Sequence, residues 1–461
     1  MSTLTVVDKF TGEPCGSVPL ATEADVRAAV ATAQAAGRIW AGLPAHRRAV
    51  VLRAASDGLG ARREELATTI CREAGKAWKF AAAEVDRAVE TFAFAAEEAR
   101  RMHGETVPMD AAPGGEDHIG FFLRTPVGVI AAITPFNFPL NLVAHKVAPA
   151  LAAGNAVVLK PAERTPLTAV LLAEVLAAAG LPEGVLTLVH GEGATVGEWL
   201  VTDPRPAMVS FTGSPVVGAR IHALAGLKRV ALELGSNSGT MVEPDVALDQ
   251  VVPRTVTAAF ANAGQVCISL QRLFVHEAIA ADFVPRFVAA VEALQVGNPL
   301  ERTCDVGPMI SDAAAERAEA WVAEAVAQGA RRLTGGRREG RLFWPTVLTD
   351  TTPDMKVMCE EVFAPVVSIV TYRRFEDGLE MLADSPYGLQ AGLFTRDLHK
   401  AFAAVKRLDV GGVMVNDPSL FRLDHMPYGG NRRSGIGREG VRFAVEEMTN
   451  LKMVSFNLGA S

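Results

Sequence analysis

Cysteine is scarce in this sequence, and its spacing excludes two common structural uses. The five cysteines are scattered, no two of them form a Cys-x-x-Cys pair, and their number is odd. Disulfide frameworks and structural zinc sites use even, closely spaced sets of cysteines. We therefore expect a protein of a reducing compartment without a bound metal. The cysteines are Cys15, Cys71, Cys267, Cys304 and Cys359.

Long apolar runs and basic clusters are also missing. No window holds the roughly 18 uninterrupted apolar residues that a membrane span needs. Residues 1–8 lack the charged and then apolar segments of a signal peptide. The formal net charge is −7 and no block of Lys or Arg stands out, which argues against nucleic acid as a partner. We expect a cytoplasmic protein that binds neither membrane nor nucleic acid.

What the sequence does contain is a globular composition and an alternating pattern. Its 461 residues, 49% of them hydrophobic and 21% charged, predict two or three domains. Residues 22–101 are rich in Ala, Arg and Glu, which predicts helix. Strand-like apolar runs then alternate with helical segments, which predicts a parallel, doubly wound α/β sheet. The runs are 128–133, 156–159, 185–189 and 208–211, and the helical segments are 140–151, 165–179 and 194–200.

A second α/β block follows Glu233. Strands are predicted near residues 272–275 and 366–372, where apolar residues are again concentrated. Residues 109–117 are rich in Gly and Pro, which predicts a turn or an arm. Residues 450–456 alternate well enough to form a strand, and we expect this strand to pair with a neighbouring subunit.

Two glycine-containing loops are candidates for binding a nucleotide at the carboxyl ends of the strands. In residues 191–197 the third glycine comes one residue too late for the GxGxxG pattern, so a helix start is favoured over a phosphate loop. Residues 211–218 follow a strand, open a helix and offer a Gly and a Ser to a pyrophosphate. Lys160 and Glu163 follow another strand, where they either bind a ribose or form an exposed loop ion pair.

Cys267 and Glu233 together indicate covalent catalysis. A thiolate is a strong nucleophile, and a nearby carboxylate can activate it or a water molecule. A cysteine by itself is more often an inert part of a core. Asn137 stands between two prolines, where it either caps the next helix or donates a hydrogen bond to an oxyanion beside Cys267.

Seven short motifs, in order along nearly the whole chain, resemble those of the aldehyde dehydrogenase superfamily. Each motif alone is weak, but seven in order are highly specific. They are TPFNFP at 134–139, KPAE at 160–163, FTGS at 211–214, LELG at 232–235, GQVC at 264–267, EEVF at 360–363 and MPYGG at 426–430.

The resemblance implies an α/β protein with the aldehyde dehydrogenase fold. This fold combines a doubly wound, Rossmann-like NAD domain with an α/β catalytic domain and a small β oligomerisation arm. Residues 1–107 and 126–232 would form the NAD-binding domain, 233–445 the catalytic domain, and 108–125 with 446–461 the arm. Such arms imply a homodimer or a homotetramer.

The resemblance also implies the reaction, which is the NAD(P)-dependent oxidation of an aldehyde to a carboxylic acid. Cys267 would attack the aldehyde carbon to give a thiohemiacetal and then a thioester. The amide of Asn137 and the backbone N–H of Cys267 would stabilise the oxyanion, and Glu233 would activate the hydrolytic water. The implied cofactor-binding residues are Thr134, Phe136, Lys160, Glu163, Gly213, Ser214, Val217, Leu234, Gly235, Glu361 and Phe363.

The resemblance also implies which of these residues would contact which part of the cofactor. Glu361 would bind the nicotinamide ribose, Lys160 and Glu163 the adenosine ribose, and Val217 the adenine, while Gly213 would lie at the pyrophosphate. The carboxylate of Glu163 would repel a 2′-phosphate, so NAD is the expected cofactor and NADP the alternative.

The expected substrate is a small anionic or hydroxylated aldehyde. Arg422 lies in a segment that resembles one wall of the family's substrate tunnel, and the planar guanidinium binds anionic groups bidentately. The structural alternative pairs Arg422 with Asp417 or Asp424. The implied substrate-binding residues are Phe138, Leu142, His145, Val266, Ile268, Phe421 and Arg422.

In chemical terms the candidates are a phosphonoaldehyde, sulfolactaldehyde, lactaldehyde or a semialdehyde. Val266 occupies a position where phosphonoacetaldehyde enzymes usually have Arg, which argues against the first. Phe138, Leu142 and His145 are spaced by four and three residues, so they are expected to share one face that lines the tunnel.

Four other functions stay open at this point. A CoA-acylating semialdehyde dehydrogenase needs no base for water, and Glu233 counts against it. Oxidation of neutral aliphatic aldehydes would leave Arg422 without a ligand. A thiol hydrolase would need a His near Cys267, and none lies in that segment. A binding protein that has lost its activity would have no reason to combine Cys267, Glu233, Asn137 and Glu361.

Overall fold

The computed structural model of the protein describes residues 2–459. Residues 1 and 460–461, at the ends of two predicted domain ranges, lie outside the described residues. Within 2–459 the chain forms two large, mainly parallel sheets, a smaller antiparallel sheet and two hairpins. The predicted α/β class is confirmed.

In the first sheet all neighbouring strands are parallel except the short strand from near the C-terminus. The strands Val129–Ile133, Ala156–Lys160 and Met208–Thr212 are buried at every position, because helices cover both faces of the sheet. The predicted strands are thereby confirmed. In spatial order the sheet contains Gly435–Ile436, Arg229–Glu233, Met208–Thr212, Val129–Ile133, Ala156–Lys160 and Leu186–Leu188.

The helices of this part of the chain share one hydrophobic core with the sheet. Residues 22–101 contain several helices rather than one, because Pro44 and the left-handed Gly75 (φ 72°) interrupt the chain. The helix start at Thr22 has the capping box with Asp25 that the sequence indicates. The helices are Glu23–Ala41, Ala45–Ala61, Arg63–Ala74, Trp78–Arg101, Asn141–Ala152, Leu167–Ala178, Glu198–Thr202, Pro215–Leu224 and Val441–Glu447.

The second sheet lies in the following block and is parallel except at the edge strand Arg331–Thr334. In spatial order it contains Arg331–Thr334, Thr346–Thr349, Val366–Tyr372, Arg272–His276, Gly239–Val242, Gln390–Phe394 and Gly412–Val415. Its helices are Leu248–Phe260, Glu277–Glu292, Asp312–Ala327, Lys356–Cys359, Phe375–Ala383 and Leu398–Arg407.

A third sheet joins Thr449–Asn457 to His118–Pro126, and His118–Pro126 to Thr106–Val107, all antiparallel. The predicted strand at 450–456 is confirmed. Both long strands carry large apolar side chains that are about half exposed, namely Ile119, Leu123, Leu451, Met453 and Phe456. The two hairpins pair Thr3–Val7 with Pro14–Pro19 and Arg338–Glu339 with Leu342–Phe343.

Two elements near the C-terminus, within the predicted range 233–445, pack with the first sheet. The strand Gly435–Ile436 pairs with Arg229–Glu233 of the first sheet. The helix Val441–Glu447 buries Val441, Ala444 and Val445 in the first core. We therefore propose that residues 435–448 belong to the first domain rather than to the range 233–445.

The candidate site lies where the chain crosses from the first large sheet to the second. Glu233 ends its strand opposite Thr212, and six residues later Gly239 begins the second sheet. The carboxyl ends of the first sheet's parallel strands therefore face this crossover, which is where open α/β sheets bind ligands. No helix among residues 2–459 has the length and apolarity to cross a membrane.

Candidate active site

The loop that carries Cys267 has an unusual backbone. Three consecutive residues, Asn262, Ala263 and Gly264, have φ values of 52°, 54° and 67°. A non-glycine residue in this region costs free energy, so two such residues mark a strained turn. At Gly264 a side chain would collide with the carbonyl group of Ala364. The turn ends the helical segment and directs Cys267 toward a cavity instead of into the core.

Cys267 is half-buried and lines a cavity of about 200 Å³. Its Sγ lies 2.9 Å from the Oη of Tyr428. Burial raises the pKa of the Cys267 thiol to about 11, and the hydrogen bond with Tyr428 opposes this increase. The cavity position favours the nucleophile over an inert core cysteine.

Glu233 is buried, and its Oε2 has no hydrogen-bond partner among the described residues. Burial and the nearby carboxylate of Glu439 raise its pKa well above the usual range. The other oxygen, Oε1, faces Gly429, where a side chain would collide with it. Once it has lost its proton, an unpartnered carboxylate with a raised pKa is a stronger base than an exposed glutamate and is suited to accept a proton from water.

Asn137 does not cap the following helix, so that alternative is wrong. Its Nδ2 donates a hydrogen bond of 2.9 Å to the backbone carbonyl of Gln265, two residues before Cys267. The helix Asn141–Ala152 is capped instead by the carboxylate of Glu84, whose Oε1 accepts the N–H groups of Leu140 and Asn141. One N–H of the Asn137 amide is therefore left for an oxyanion next to the Cys267 loop.

Behind the cavity, Glu439 is the acceptor for two cations. Lys146 Nζ lies 3.1 Å from Oε1 and Arg422 Nη2 lies 3.0 Å from Oε2. Burial favours protonation of Glu439, but Lys146 and Arg422 outweigh it and lower the pKa of Glu439 to about 2. Arg422 thus pairs with neither Asp417 nor Asp424 as the structural alternative supposed, although it does line the cavity.

Asp424 is occupied by other groups. It accepts hydrogen bonds from Arg87, Asn141 and the Nε2 of His145. Burial acts against its ionisation, but His145 and Arg87 hold the pKa of Asp424 well below its usual range. Burial, followed by the charge of Arg422, lowers the pKa of His145, so its imidazole is neutral.

The outer part of the cavity contains a buried ion pair. Lys76 Nζ lies 2.5 Å from Glu84 Oε2, and both side chains are fully buried. The same ammonium group lies 3.6 Å from the centre of the Phe138 ring. Phe138 also lies 5.8 Å from the guanidinium carbon of Arg87, so an aromatic face joins the two cations.

Most of the predicted substrate residues line this cavity. Phe138, Leu142, Val266, Ile268 and Arg422 contribute to its wall. Two of the predicted residues, His145 and Phe421, do not line the cavity. His145 is turned away to Asp424, because a buried imidazole needs a hydrogen-bond acceptor. Phe421 is 37% exposed outside the wall, where its carbonyl accepts a hydrogen bond from Gln390.

The predicted cofactor residues follow the carboxyl edge of the first sheet. Lys160 ends its strand beside Ile133, and Thr134 donates its N–H to the Lys160 carbonyl at 3.2 Å. Lys160 Nζ lies 3.3 Å from Glu163 Oε2. The ion pair is only partly exposed, because the side chain of Lys160 is 2% exposed and that of Glu163 is 40% exposed.

A helix N-terminus stands at the end of the next strand. Gly213 and Ser214 precede the ten-residue helix Pro215–Leu224, and Ser214 caps it by accepting the N–H of Val217. Val217 is 45% exposed, as a residue that contacts an adenine must be. Residues 193–197, in the other glycine loop, form a helical turn that continues into Glu198–Thr202, so the predicted helix start is confirmed.

The opposite end of this edge is formed by residues from both sheets. Glu361 Oε1 accepts the N–H of Ser236 at 2.9 Å, and a side chain at Gly235 would collide with the same carboxylate. Burial raises the pKa of Glu361 to about 7. The rings of Phe136 and Phe363 meet edge to face at 5.8 Å.

These features fit a dinucleotide. The hydroxyl groups of Thr134 and Thr212 are buried at the strand ends without a partner among the described residues. Gly235 leaves room where the chain crosses between the sheets, while Leu234 is buried at the crossover with its N–H bonded to the Ser434 carbonyl. Residues 2–459 show no group of three or more His, Cys, Asp or Glu side chains arranged to bind a metal ion.

The comparison with known families agrees with this geometry. The sequence profile of the aldehyde dehydrogenase family matches residues 1–454. The chain belongs to the aldehyde dehydrogenase family. It is an oxidoreductase that oxidises aldehydes with NAD or NADP.

Three relatives of this aldehyde dehydrogenase show how far the similarity extends. The 3-sulfolactaldehyde dehydrogenase of Priestia megaterium is 48% identical over 98% of this chain and 94% of its own. Aldehyde dehydrogenase 21 of Physcomitrella patens, solved with the reaction product succinate, is 41% identical with a TM-score of 0.97 over 100% of this chain and 96% of its own. The glyceraldehyde-3-phosphate dehydrogenase GapN of Methanocaldococcus jannaschii, solved with NADP, is 38% identical with a TM-score of 0.95 over 98% and 99%.

Several residues around the cavity were not predicted from the sequence. Tyr428 lies within the MPYGG motif and is one of only three tyrosines, a signal that was available. Lys76 and Arg87 lie in a long helical stretch, where charged residues ordinarily face solvent. Nothing in the local pattern of Lys146 and Glu439 indicates burial, because their pairing joins segments 293 residues apart.

Proposed function

We propose that the enzyme oxidises a small aldehyde that carries one carboxylate or sulfonate group to the corresponding acid. The observation that supports this most is the charge of a group of side chains around and behind the cavity, here called the cavity cluster. Its cations are Lys76, Arg87, Lys146 and Arg422, and its anions are Glu84, Asp424 and Glu439.

The cavity cluster has one more cation than anions. Glu233 and His145 do not change this balance, and burial raises the pKa of both Cys267 and Tyr428, which favours their uncharged forms. Burial and Glu439 raise the pKa of Glu233, and burial and Arg422 lower the pKa of His145, so both shifts favour the uncharged form. A buried excess charge is costly unless a counter-ion is present. A singly charged anionic ligand beside Arg422 and Arg87 supplies that counter-ion.

The names of the three relatives support an anionic substrate. They refer to a sulfonated aldehyde, to succinate and to a phosphorylated aldehyde. Val266 in the cavity wall offers no cation to a second negative charge. We therefore favour a carboxylate or a sulfonate over a phosphonate.

The first chemical step takes place at Cys267. Its thiolate attacks the aldehyde carbon, so an S–C bond forms while the carbonyl π electrons move to oxygen. The free N–H of the Asn137 amide and the backbone N–H of Cys267 stabilise the resulting oxyanion. When bound, the nicotinamide ring supplies the hydride acceptor.

The second step is hydrolysis of the thioester on Cys267. Glu233, in its deprotonated form, accepts a proton from water as the oxygen attacks the acyl carbon. The C–S bond then breaks and its electron pair returns to Sγ, which releases the carboxylic acid. The buried carboxyl group of Glu233 is suited to this role because its raised pKa makes it a stronger base than an exposed glutamate.

We further propose NAD as the preferred cofactor. Lys160 is the cation near the ribose position, and both Glu163 and Glu192 act on it electrostatically. A 2′-phosphate placed there would meet two carboxylates and one cation, which disfavours NADP. The test compares kcat/KM with NAD and NADP before and after Glu163→Gln, which should relax the preference for NAD.

The substrate proposal is tested by NADH formation across a panel of aldehydes. The panel contains sulfolactaldehyde, succinic semialdehyde, phosphonoacetaldehyde, lactaldehyde and neutral aliphatic aldehydes. We expect the highest kcat/KM for a singly charged anionic aldehyde. Arg422→Met should reduce that value about 10- to 100-fold, as expected for a lost charged hydrogen bond, and change the value for neutral aldehydes much less.

Arg254→Gln is the matched control, because Arg254 pairs with Asp417 away from the cavity. A preference for neutral aldehydes, or an equal loss for both classes in Arg422→Met, would contradict the anionic substrate. Formation of an acyl-CoA in place of the free acid would indicate the CoA-acylating alternative.

The exposed apolar strands of the third sheet support a homodimer or homotetramer, which light scattering at several protein concentrations would test.

A further inference from the structure

Tyr428 is the side chain that contacts the sulfur of Cys267. Its hydroxyl oxygen lies 2.9 Å from Sγ, and the residue is only 4% exposed. The aromatic ring of Tyr428 has a second contact, because the guanidinium carbon of Arg422 lies 3.6 Å from the ring centre. Tyr428 therefore stands between the nucleophile and a cation of the cavity cluster.

The backbone holds this ring in place. Tyr428 forms an isolated antiparallel bridge with Glu439, with N···O distances of 3.0 and 2.6 Å. Glu439 in turn binds Arg422 through its side chain at 3.0 Å. Tyrosine, arginine and glutamate thus form a closed arrangement in which each contacts the next, and it orients the hydroxyl group toward Cys267.

The two partners of the 2.9 Å contact differ in how they ionise. Burial, then the neighbouring Cys267, raises the pKa of Tyr428 well above its usual value, so the phenol keeps its proton. Cys267 is the group that ionises, and a thiolate can only accept a hydrogen bond. The attraction of Arg422 to the ring face places positive charge next to both groups.

We propose that Tyr428 is a catalytic residue that donates a hydrogen bond to the Cys267 thiolate and keeps it directed into the cavity, with Arg422 as the positioning residue stacked on its ring. The proposal rests on the role of Cys267 as the nucleophile. As the S–C bond forms, the sulfur loses its negative charge and the hydroxyl group is released from it. Tyr428 thereby stabilises the thiolate before attack and no longer holds the sulfur afterwards.

The test measures the reactivity of Cys267 directly, without substrate or cofactor. Alkylation by iodoacetamide requires the thiolate. Its rate at Cys267 is followed by peptide mass spectrometry between pH 6 and pH 11 in the full-length enzyme and in Tyr428→Phe. Loss of the hydrogen bond should displace the rising part of the profile by about one pH unit to higher pH, which means about tenfold slower alkylation at each pH below the midpoint.

Tyr372→Phe is the matched control, because Tyr372 is equally buried and its hydroxyl donates to Val242 and Glu243. Its profile should coincide with that of the wild type. Arg422→Met should raise the midpoint in the same direction as Tyr428→Phe, because it removes the cation that favours the thiolate.

An unchanged profile in Tyr428→Phe would overturn the proposal and leave Tyr428 as part of the cavity wall. The role of Cys267 is tested separately by Cys267→Ser, which should abolish NADH formation. If Cys267→Ser stayed active, the proposed function would fail whatever the alkylation profiles showed.

Discussion

Asn137 donates a hydrogen bond of 2.9 Å to the carbonyl of Gln265, which links the turn after the first central strand to the loop that carries Cys267. The carbonyl oxygen can only accept, so the atom that faces it is the amide nitrogen. Asn262 donates to the same carbonyl at 3.3 Å. The remaining N–H of Asn137 is therefore left beside the loop that carries Cys267.

This link predicts the effect of Asn137→Ala. Removing a preorganised oxyanion donor typically lowers kcat about 10²- to 10³-fold. Alkylation of Cys267 by iodoacetamide forms no oxyanion, so its rate should change much less than kcat does. Both are measured on the same preparation. A kcat within about threefold of the wild type would show that Asn137 serves only as a tether for the loop.

Glu233→Gln should separate the two halves of the reaction. The first half does not need the base, whereas hydrolysis does, so a stoichiometric burst of NADH should precede turnover about 10²- to 10⁴-fold slower than normal. Stopped-flow absorbance records the burst, and intact-protein mass spectrometry should detect the acyl group on Cys267. Glu73→Gln is the control, because Glu73 is also fully buried but accepts the N–H groups of Leu167 and Thr168. Absence of a burst would place Glu233 in the first half instead.

The rate should increase with pH above neutrality. Cys267 and Glu233 must both lose a proton to act, and burial raises the pKa of each, to about 11 in the case of Cys267. The active, deprotonated forms therefore become more abundant as the pH rises. A profile of kcat/KM between pH 6 and pH 10 checks this, and a decrease above pH 8 would contradict it.

Glu439→Gln should shift that profile to lower pH. The negative charge of Glu439 raises the pKa of Glu233, and its removal leaves Lys146 and Arg422 to lower it. Glu73→Gln again serves as the control and should not shift the profile. If the pH profile of Glu439→Gln stayed in place or moved to higher pH, the carboxyl groups of Glu233 and Glu439 would not be coupled in this way.

The ion pair between Lys76 and Glu84 makes a prediction about stability. Glu84→Gln leaves a fully buried ammonium group without its counter-ion, which typically costs about 3–5 kcal/mol. The thermal unfolding midpoint should therefore fall by several degrees, and the double variant Lys76→Met with Glu84→Gln should recover part of the loss. Glu23→Gln, in an exposed pair with Arg27, should change the midpoint little. A double variant less stable than Glu84→Gln would contradict this account.

Local sequence was enough to predict the main elements. The strands Val129–Ile133, Ala156–Lys160 and Met208–Thr212 were predicted because residues buried on both faces leave an uninterrupted apolar run. The turn at 193–197 was predicted as helical because its glycines are spaced wrongly for a phosphate loop. Both are properties of neighbouring residues, which the chain order itself contains.

The motifs carried information of a second kind, because each one places a chemically distinctive residue next to the backbone geometry that it needs. Cys267 follows the glycine of its motif, and Gly264 is the residue at which a side chain would collide with Ala364. Such short-range requirements identified the family from order and spacing. They did not show which way a neighbouring side chain turns.

Only the tertiary structure decided how the charges pair. His145 was expected in the cavity wall but binds Asp424, which is 279 residues away, and Asp424 also binds Arg87 across 337 residues. Arg422 forms its ion pair with Glu439, which is 17 residues away along the chain, and not with Asp424, which is closer to it in the sequence. Electrostatic energy depends on distance in space and on burial, and neither follows from separation along the chain. The sequence therefore determined the elements and the candidate reacting residues, whereas packing decided their ionisation and their partners.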